Sequence, residues 1–329
     1  MNSNSYWVTV SSRGFSDNNL LKLINYNPDG IRINTGRDSY NWAKKTINFL
    51  VENSYPVSKI FLDIGNNKSR IQLRKTTEYS VNEGSVVKIN IEEHDDVDGV
   101  VLSTLFFEHL SDNDIVLFGD GEIKCKVERV CGTSAFLVAC NSGIITNLSA
   151  INIENKNYSR FHVDLNEYNN VKRILTDYKI SLIVSFIESL DNILWVENNF
   201  PEANLIMPKI ETDVAIRNLD EIMYHSNLIL LGRGDLALSV GVEKLGIVQK
   251  KVLEIALKYK SDVVIASGSL ESLLYNDVPN RSDIIDITNS YLSGASGIML
   301  TSETGASKTP FAIIDFLVKI MRYLESEIC

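Results

Sequence analysis

The 329 residues can bury one large α/β core or two ordinary ones, and 44% hydrophobic with 22% charged residues is the balance of an ordinary soluble protein. A formal net charge of −10 argues against a non-specific nucleic-acid binder, which needs a cationic face. No apolar run approaches the ~20 residues of a membrane span, Met1 to Tyr6 lacks the pattern of a signal peptide, and Cys125, Cys131, Cys140 and Cys329 have neither zinc nor disulfide-scaffold spacing. The expectation is a reduced, cytoplasmic protein without nucleic-acid or membrane partners.

In chain order, Trp7 to Val10 reads as a strand, Asp17 to Tyr26 as a helix and Ile31 to Asn34 as a second strand. Ser39 then reads as the N-cap of a helix with Trp42, Thr46, Phe49 and Leu50 on one face. Lys59 to Ile64 is a third strand, and this alternation implies a parallel sheet. After Arg70 the rhythm changes. Tyr79 to Ile91, Val100 to Phe107, Asp114 to Val130 and Ala135 to Leu148 are β-rich, separated by turn signals such as Asn82-Glu-Gly84 and Asn141-Ser-Gly143. Residues 71–158 are therefore expected to form a small β-rich domain inserted within a larger α/β domain of residues 1–70 and 159–329.

The βα rhythm resumes with strands at Ser181 to Phe186, Asn204 to Pro208, Asn227 to Leu231, Asp262 to Ala266 and Gly297 to Leu300. Helical patterns follow at Asp191 to Asn199, Ala215 to Tyr224, Glu243 to Lys258, Ile284 to Leu292 and Pro310 to Glu325. Three strands before the insert and five after it predict a (β/α)₈ TIM barrel, whose chemistry sits at the carboxyl ends of the strands. The polar residues at those ends share one theme: Arg32 and Asn34, Asp63, Ser185, Lys209 and Glu211, Arg233 and Asp235, Ser267, and Thr301 with Glu303. Two carboxylates on neighbouring strands can share a hard divalent cation. Arg and Lys can neutralise phosphoryl charge, and Gly232 and Gly234 admit a ligand close to the backbone. Together these point to phosphoryl transfer on a metal-bound acid.

Over almost its full length the chain resembles the pyruvate kinases. The resemblance is carried by Arg32-Ile-Asn34, Leu62-Asp63 with Arg70, Asp120-Gly121, Ser185-Phe186, Lys209-Ile-Glu211, Arg233-Gly-Asp-Leu236, Gln249-Lys250, Leu270-Glu-Ser272, Arg281, Met299-Leu300 and Glu303-Thr304, in that order. It implies a small β-barrel-like lid on the TIM barrel and transfer of a phosphoryl group from phosphoenolpyruvate to ADP, giving pyruvate and ATP. Glu211 and Asp235 would hold Mg²⁺, with Mn²⁺ as a substitute. Lys209 would stabilise the phosphoryl group and the enolate oxygen, and Arg32 would hold the phosphoryl group. Arg233, Gly234, Asp235, Ser267 and Ser185 would bind the substrate, Ser267 standing where the family has Thr and keeping a hydroxyl near the enolate.

The departures from the family are local. Gly36 and Ile64 replace two ligands of its monovalent-cation site, while Asn34 and Asp63 remain. Lys68 stands where potassium-dependent members have Glu, so the resemblance implies that K⁺ is not required. On the nucleotide side Arg37 replaces His, Gly65-Asn66-Asn67 replaces Lys-Gly-Pro, and Gly268-Ser269 replaces Gln-Met. Arg37, Arg70, Trp42 and Asn34 are the residues expected to meet ADP. Two other readings stand beside this one: a Mg²⁺-dependent enzyme on the same site with a different phosphoryl acceptor or a lyase reaction, and a non-catalytic binding protein. The family's carboxy-terminal domain has no counterpart in these residues, so sugar-phosphate control is not expected. A homo-oligomer is compatible with the resemblance, but its size does not carry over.

Overall fold

The computed structural model describes residues 5–36, 38–65, 69–73, 76–91, 100–102, 104–119, 121–147, 149–154, 156 and 160–328. Two compact units emerge, one of Met1–Asn66, Arg160–Ala237 and Glu243–Cys329, the other of Asn67–Ser159 with Leu238–Val242.

The first unit is the predicted barrel. Its strands are β1 (Ser5–Val10), β2 (Gly30–Asn34), β3 (Ile60–Ile64), β4 (Ser181–Val184), β5 (Ile206–Ile210), β6 (Leu228–Gly232), β7 (Asp262–Ala266) and β8 (Gly297–Leu300). They close in sequence order, β8 against β1, and every pair is parallel. Strands covered on both faces read as near-continuous apolar runs, and β3, β4 and β6 are buried at every residue.

Alternation along each strand then fixes which side chains enter the barrel. Trp7, Phe61, Ile183, Met207, Leu228, Leu230, Val264, Ala266 and Met299 form one buried cluster drawn from seven strands. On β2 the corresponding place is Gly30, and a Cβ there would collide with the Trp7 ring. The glycine gives the indole its space. Two residues further along these same inward rows stand Thr9, Arg32, Asp63, Ser185 and Lys209. The barrel is thus filled by apolar side chains below and by ionic ones at its carboxyl end.

Helices cover the outside. Ser16, Ser39, Asp164 and Thr212 cap their helices by accepting the N–H of Asn19, Trp42, Glu167 and Ala215. The helix Tyr40–Glu52 turns Ala43, Thr46, Ile47 and Leu50 inward. Four features differ from the sequence expectations. A helix, Leu165–Tyr178, precedes β4, and the expected helix at Ala215 to Tyr224 is two, Asp213–Arg217 and Leu219–His225, broken at Asn218. A helix, Arg233–Val240, follows β6 directly. Within Val100 to Phe107 only Val100–Leu102 is a strand, and Thr104–Phe107 is helical.

The second unit is built on a seven-stranded sheet in the order Ile151–Ile153, Ile115–Phe118, Ile123–Cys131, Ser134–Ala139, Val86–Ile91, Val100–Leu102, Gln72–Leu73. Every pair is antiparallel except Val86–Ile91 with Val100–Leu102. A second, two-stranded sheet pairs Gly143–Thr146 with Glu78–Val81. The unit has its own core, including Val87, Ile89, Phe106, Phe118, Val127 and Leu137.

Candidate active site

At the carboxyl ends of β1 to β5 the inward rows end in one ionic network. Asp63, fully buried at the end of β3, accepts Nε of Arg32 at 2.7 Å and Oγ of Ser185 at 3.0 Å. Arg32 also reaches Oγ1 of Thr9 at 3.1 Å. Lys209 Nζ lies 2.9 Å from Glu211 Oε1, donates to Ser185 Oγ at 3.3 Å and is 3.8 Å from Asp63 Oδ2. Burial alone would lift the Asp63 pKa, but the charges of Lys209 and Arg32 outweigh it and hold the carboxyl below its usual range. Burial alone would lower the Lys209 pKa, but Asp63 and Glu211 outweigh it and the ammonium is favoured. The network is therefore charged on both sides at neutral pH.

Glu211 is held by backbone as well. Phe186, just beyond β4, adopts φ = 57° and donates its N–H to Glu211 Oε2 at 3.2 Å. A left-handed Phe is unfavourable on its own, and such geometry persists where the surroundings over-determine it. Gly232, at the end of the adjacent β6, provides the clearance: a Cβ there would meet Glu211 Cγ at 2.8 Å and Oε1 at 2.9 Å. Asp235 follows in the first turn of Arg233–Val240, is buried, and acts electrostatically on Lys209.

Beyond β6 lies a second cluster. Arg233 donates Nε to the Ser267 carbonyl at 2.8 Å, Nη1 to Asp286 Oδ1 at 2.8 Å and to Gln249 Oε1 at 3.4 Å, and Nη2 to Ser269 Oγ at 3.0 Å. Beyond β8, Glu303 is fully buried and accepts both the N–H and the hydroxyl of Thr301 on Oε2, at 2.6 and 2.9 Å, while Oε1 has no hydrogen-bond partner. Burial, reinforced by Glu271, raises its pKa and favours the neutral acid. Thr304 ties β8 back to β1 by donating to the Thr9 carbonyl at 2.9 Å.

The sequence-derived residues thus separate. Arg32, Asp63, Ser185, Lys209 and Glu211 share one network. Ser267 faces Gly234, a Cβ on which would lie 3.9 Å from the serine Oγ. Asn34 ends β2 and accepts the Gly36 N–H at 3.0 Å. Trp42 is half-buried in its helix, with its N–H on Ser39. Arg70 belongs to the second unit, where it bridges to Ala150. Arg37, Lys68 and Asp120 lie outside the described residues. Sequence reading missed Thr9 and the Phe186 amide. It also missed Glu167, whose raised pKa follows from burial and which accepts Tyr40 Oη at 2.9 Å and the Gly65 N–H at 3.1 Å. Asp164 and Glu167 form the acid-x-x-Glu pattern of a helix start, a signal that could have located them.

A family description reading "Pyruvate kinase, barrel domain" matches residues 3–314. The chain belongs to the pyruvate kinase family. It is 29% identical to the pyruvate kinase of Pyrobaculum aerophilum over 94% of this chain and 68% of that protein. To the pyruvate kinase of Thermotoga maritima it is 27% identical over 100% of this chain and 72% of that protein. The crystal structure of the Pyrobaculum aerophilum pyruvate kinase superposes with a TM-score of 0.80 at 26% identity, over 98% of this chain and 73% of that one. No helix among the described residues is long and apolar enough to cross a membrane.

Pyruvate kinases are typically Mg²⁺-dependent, and the donor set here can be tested against such an ion. No group of three or more His, Cys, Asp or Glu suited to a metal occurs among the described residues. Mg²⁺ is commonly held by one or two carboxylates with water and substrate oxygens completing the shell, and buried Glu211 and Asp235 beyond neighbouring strands suit that demand. Gly232 supplies a check. Gly232→Ala is expected to displace the Glu211 carboxylate and lower Mg²⁺-supported turnover by about 100-fold. The Mg²⁺ titration should move to higher concentration while thermal unfolding changes by only about 1–3 kcal/mol. An unchanged Mg²⁺ titration would remove Glu211 from the metal site.

Proposed function

We propose that this chain transfers a phosphoryl group from phosphoenolpyruvate to ADP, giving pyruvate and ATP, as a Mg²⁺-dependent kinase that needs no K⁺. The observation that carries the reading is the placement of Lys209, a buried ammonium flanked by Asp63 and Glu211 at the carboxyl rim of the barrel. Such an ammonium, already oriented by two carboxylates, suits charge that develops as a phosphoryl group is transferred.

Glu211 and Asp235 would hold Mg²⁺, or Mn²⁺ in its place, and a bound ion would supply positive charge that offsets the substrate's negative charge. Arg32, fixed by Asp63 and Thr9, turns its remaining donor capacity to the phosphoryl group. Lys209 meets the phosphoryl group in transfer and the enolate oxygen left behind, at a site already built for charge. Backbone around Gly234 and Asp235 receives the substrate carboxylate, and the Ser267 hydroxyl stands beside the enolate. The charge of Asp63 is met internally by Arg32 and Lys209, which supports independence from K⁺, and the resemblance names Lys68 and Asn34 as the positions that would substitute for the cation.

The acceptor side supports a second reading. Ser269 is buried on Arg233, and the Gly65 amide is taken by Glu167, so neither position is free for a nucleotide. Arg37, Arg70, Trp42 and Asn34 remain the ADP candidates, and an acceptor other than ADP is the alternative. A lactate-dehydrogenase-coupled assay with phosphoenolpyruvate, ADP and Mg²⁺ in K⁺-free buffer separates the two. Pyruvate formation supports the kinase, and strict dependence on added K⁺ refutes the cation assignment. Absence of pyruvate together with calorimetric binding of Mg²⁺-oxalate moves the function to another acceptor or to a lyase. In either case Glu211→Gln is expected to weaken oxalate binding by about 100-fold or more, the loss of a charged ligand being worth ~3 kcal/mol. Unchanged binding sinks the metal assignment.

A further inference from the structure

At the rim, the Arg233 guanidinium is engaged by protein acceptors on every nitrogen. Four hydrogen bonds fan from its guanidinium to three segments: the loop after β7, Gln249 on the helix Leu245–Tyr259, and Asp286 on the helix Arg281–Leu292. Gln249 is itself oriented, donating to Ser290 at 3.2 Å. The loop it grips is under backbone strain. Ser267 has φ = 75°, Gly268 77° and Leu270 63°. Only glycine adopts that region freely, and each of the other two costs on the order of 1–2 kcal/mol. Leu270 anchors the far end through complete burial. At the near end Nε takes the carbonyl of Ser267 and Nη2 takes the hydroxyl of Ser269, bracketing the exposed Gly268. The outcome is a Ser267 side chain turned toward Gly234, one residue along from Arg233 itself.

We infer that Arg233 is a positioning residue that acts on the reaction through Ser267, holding the strained loop after β7 so that the serine hydroxyl faces the substrate, rather than binding the substrate anion. The inference rests on the proposed phosphoenolpyruvate chemistry only for its kinetic readout. A guanidinium suits the task because its planar fork reaches a carbonyl and a hydroxyl at fixed angles while two acceptors hold its other end. An ammonium keeps the charge but cannot reproduce the fork.

The test uses the full chain with Arg233→Lys, Ser267→Ala and the double variant. Arg233→Lys is expected to lower kcat by about 10- to 100-fold, the scale of a misplaced active-site group, with KM for phosphoenolpyruvate changed less than about 3-fold. Ser267→Ala should fall in the same range, and the double variant should be no slower than the slower single one, because both remove one interaction. A raised KM with kcat intact, or losses that multiply in the double variant, would overturn the inference. Hydrogen exchange of the amides from Ser267 to Leu270 is read in parallel: faster in Arg233→Lys, unchanged in Ser267→Ala, with the barrel strands protected in both. If the wild-type chain forms no pyruvate, the kinase reading fails while this exchange pattern still decides the clamp, and unchanged exchange in Arg233→Lys discards it.

Discussion

Lys209→Met is expected to abolish pyruvate formation, with kcat falling on the order of 10³-fold or more, as when a cation that neutralises transferring phosphoryl charge is removed. The geometry explains why the loss is large and local. The ammonium is buried and already oriented by Asp63, Ser185 and Glu211, so it needs no reorganisation as charge develops on the substrate. Met fills a similar volume without the charge. The carboxylates left behind keep other partners, Asp63 the guanidinium of Arg32 and Glu211 the amide of Phe186. Unfolding free energy should therefore fall by only about 1–3 kcal/mol. Oxalate should still bind with Mg²⁺, since the metal carboxylates remain. A Lys209→Met chain that unfolds at room temperature, or one that retains kcat, would each remove Lys209 from the role given to it.

Asp63→Ala is expected to act in the opposite proportion, on stability first. Its removal strands Arg32, more than nine-tenths buried, without its carboxylate partner, and leaves the equally buried Lys209 with Glu211 as its ion-pair partner. Breaking one partner of a buried ion pair costs about 3–5 kcal/mol, against the roughly 5–15 kcal/mol that holds a whole domain. Denaturant unfolding should show the loss directly. Its pH dependence carries the same signature. The folded Asp63 pKa is depressed, so its contribution is present above the unfolded value of about 4 and is lost as pH falls through the lower folded one. Wild type and Asp63→Ala should therefore differ most near neutrality and converge in acid. A constant difference down to low pH would mean that packing, not charge, is what Asp63 supplies.

The barrel was legible because its strands are apolar runs ending in charged residues. Ile206–Ile210 followed by Glu211, and Leu228–Gly232 followed by Arg233 and Asp235, announce buried strands with functional exits. The helix after β6 was not legible, since Arg233 to Val240 has no polar stripe and begins with a glycine at its second residue. Thr104–Phe107 reads as strand because Leu105, Phe106 and Phe107 carry no helical period. In the site, residue identity revealed the charges but not their partners. Asp286 lies 53 positions from Arg233, and nothing in the local sequence links them. The left-handed Phe186 leaves no mark in sequence either, because its amide, not its ring, meets Glu211.

Closure of the barrel has a consequence for how the chain is made. β1 acquires its second neighbour only when β8 pairs with it, Ser5 with Gly297 through Val8 with Leu300. Thr304 and Tyr291 then lock the seam on the Thr9 and Ser5 carbonyls. A ribosome adding 5–20 residues per second needs about 15–60 s to travel from one strand to the other. For that interval the nascent chain carries β1 as an unpaired edge with Trp7, Val8 and Val10 awaiting burial, the kind of surface that other chains can capture. Yield in the cell should depend on what shields that edge before the last βα unit emerges.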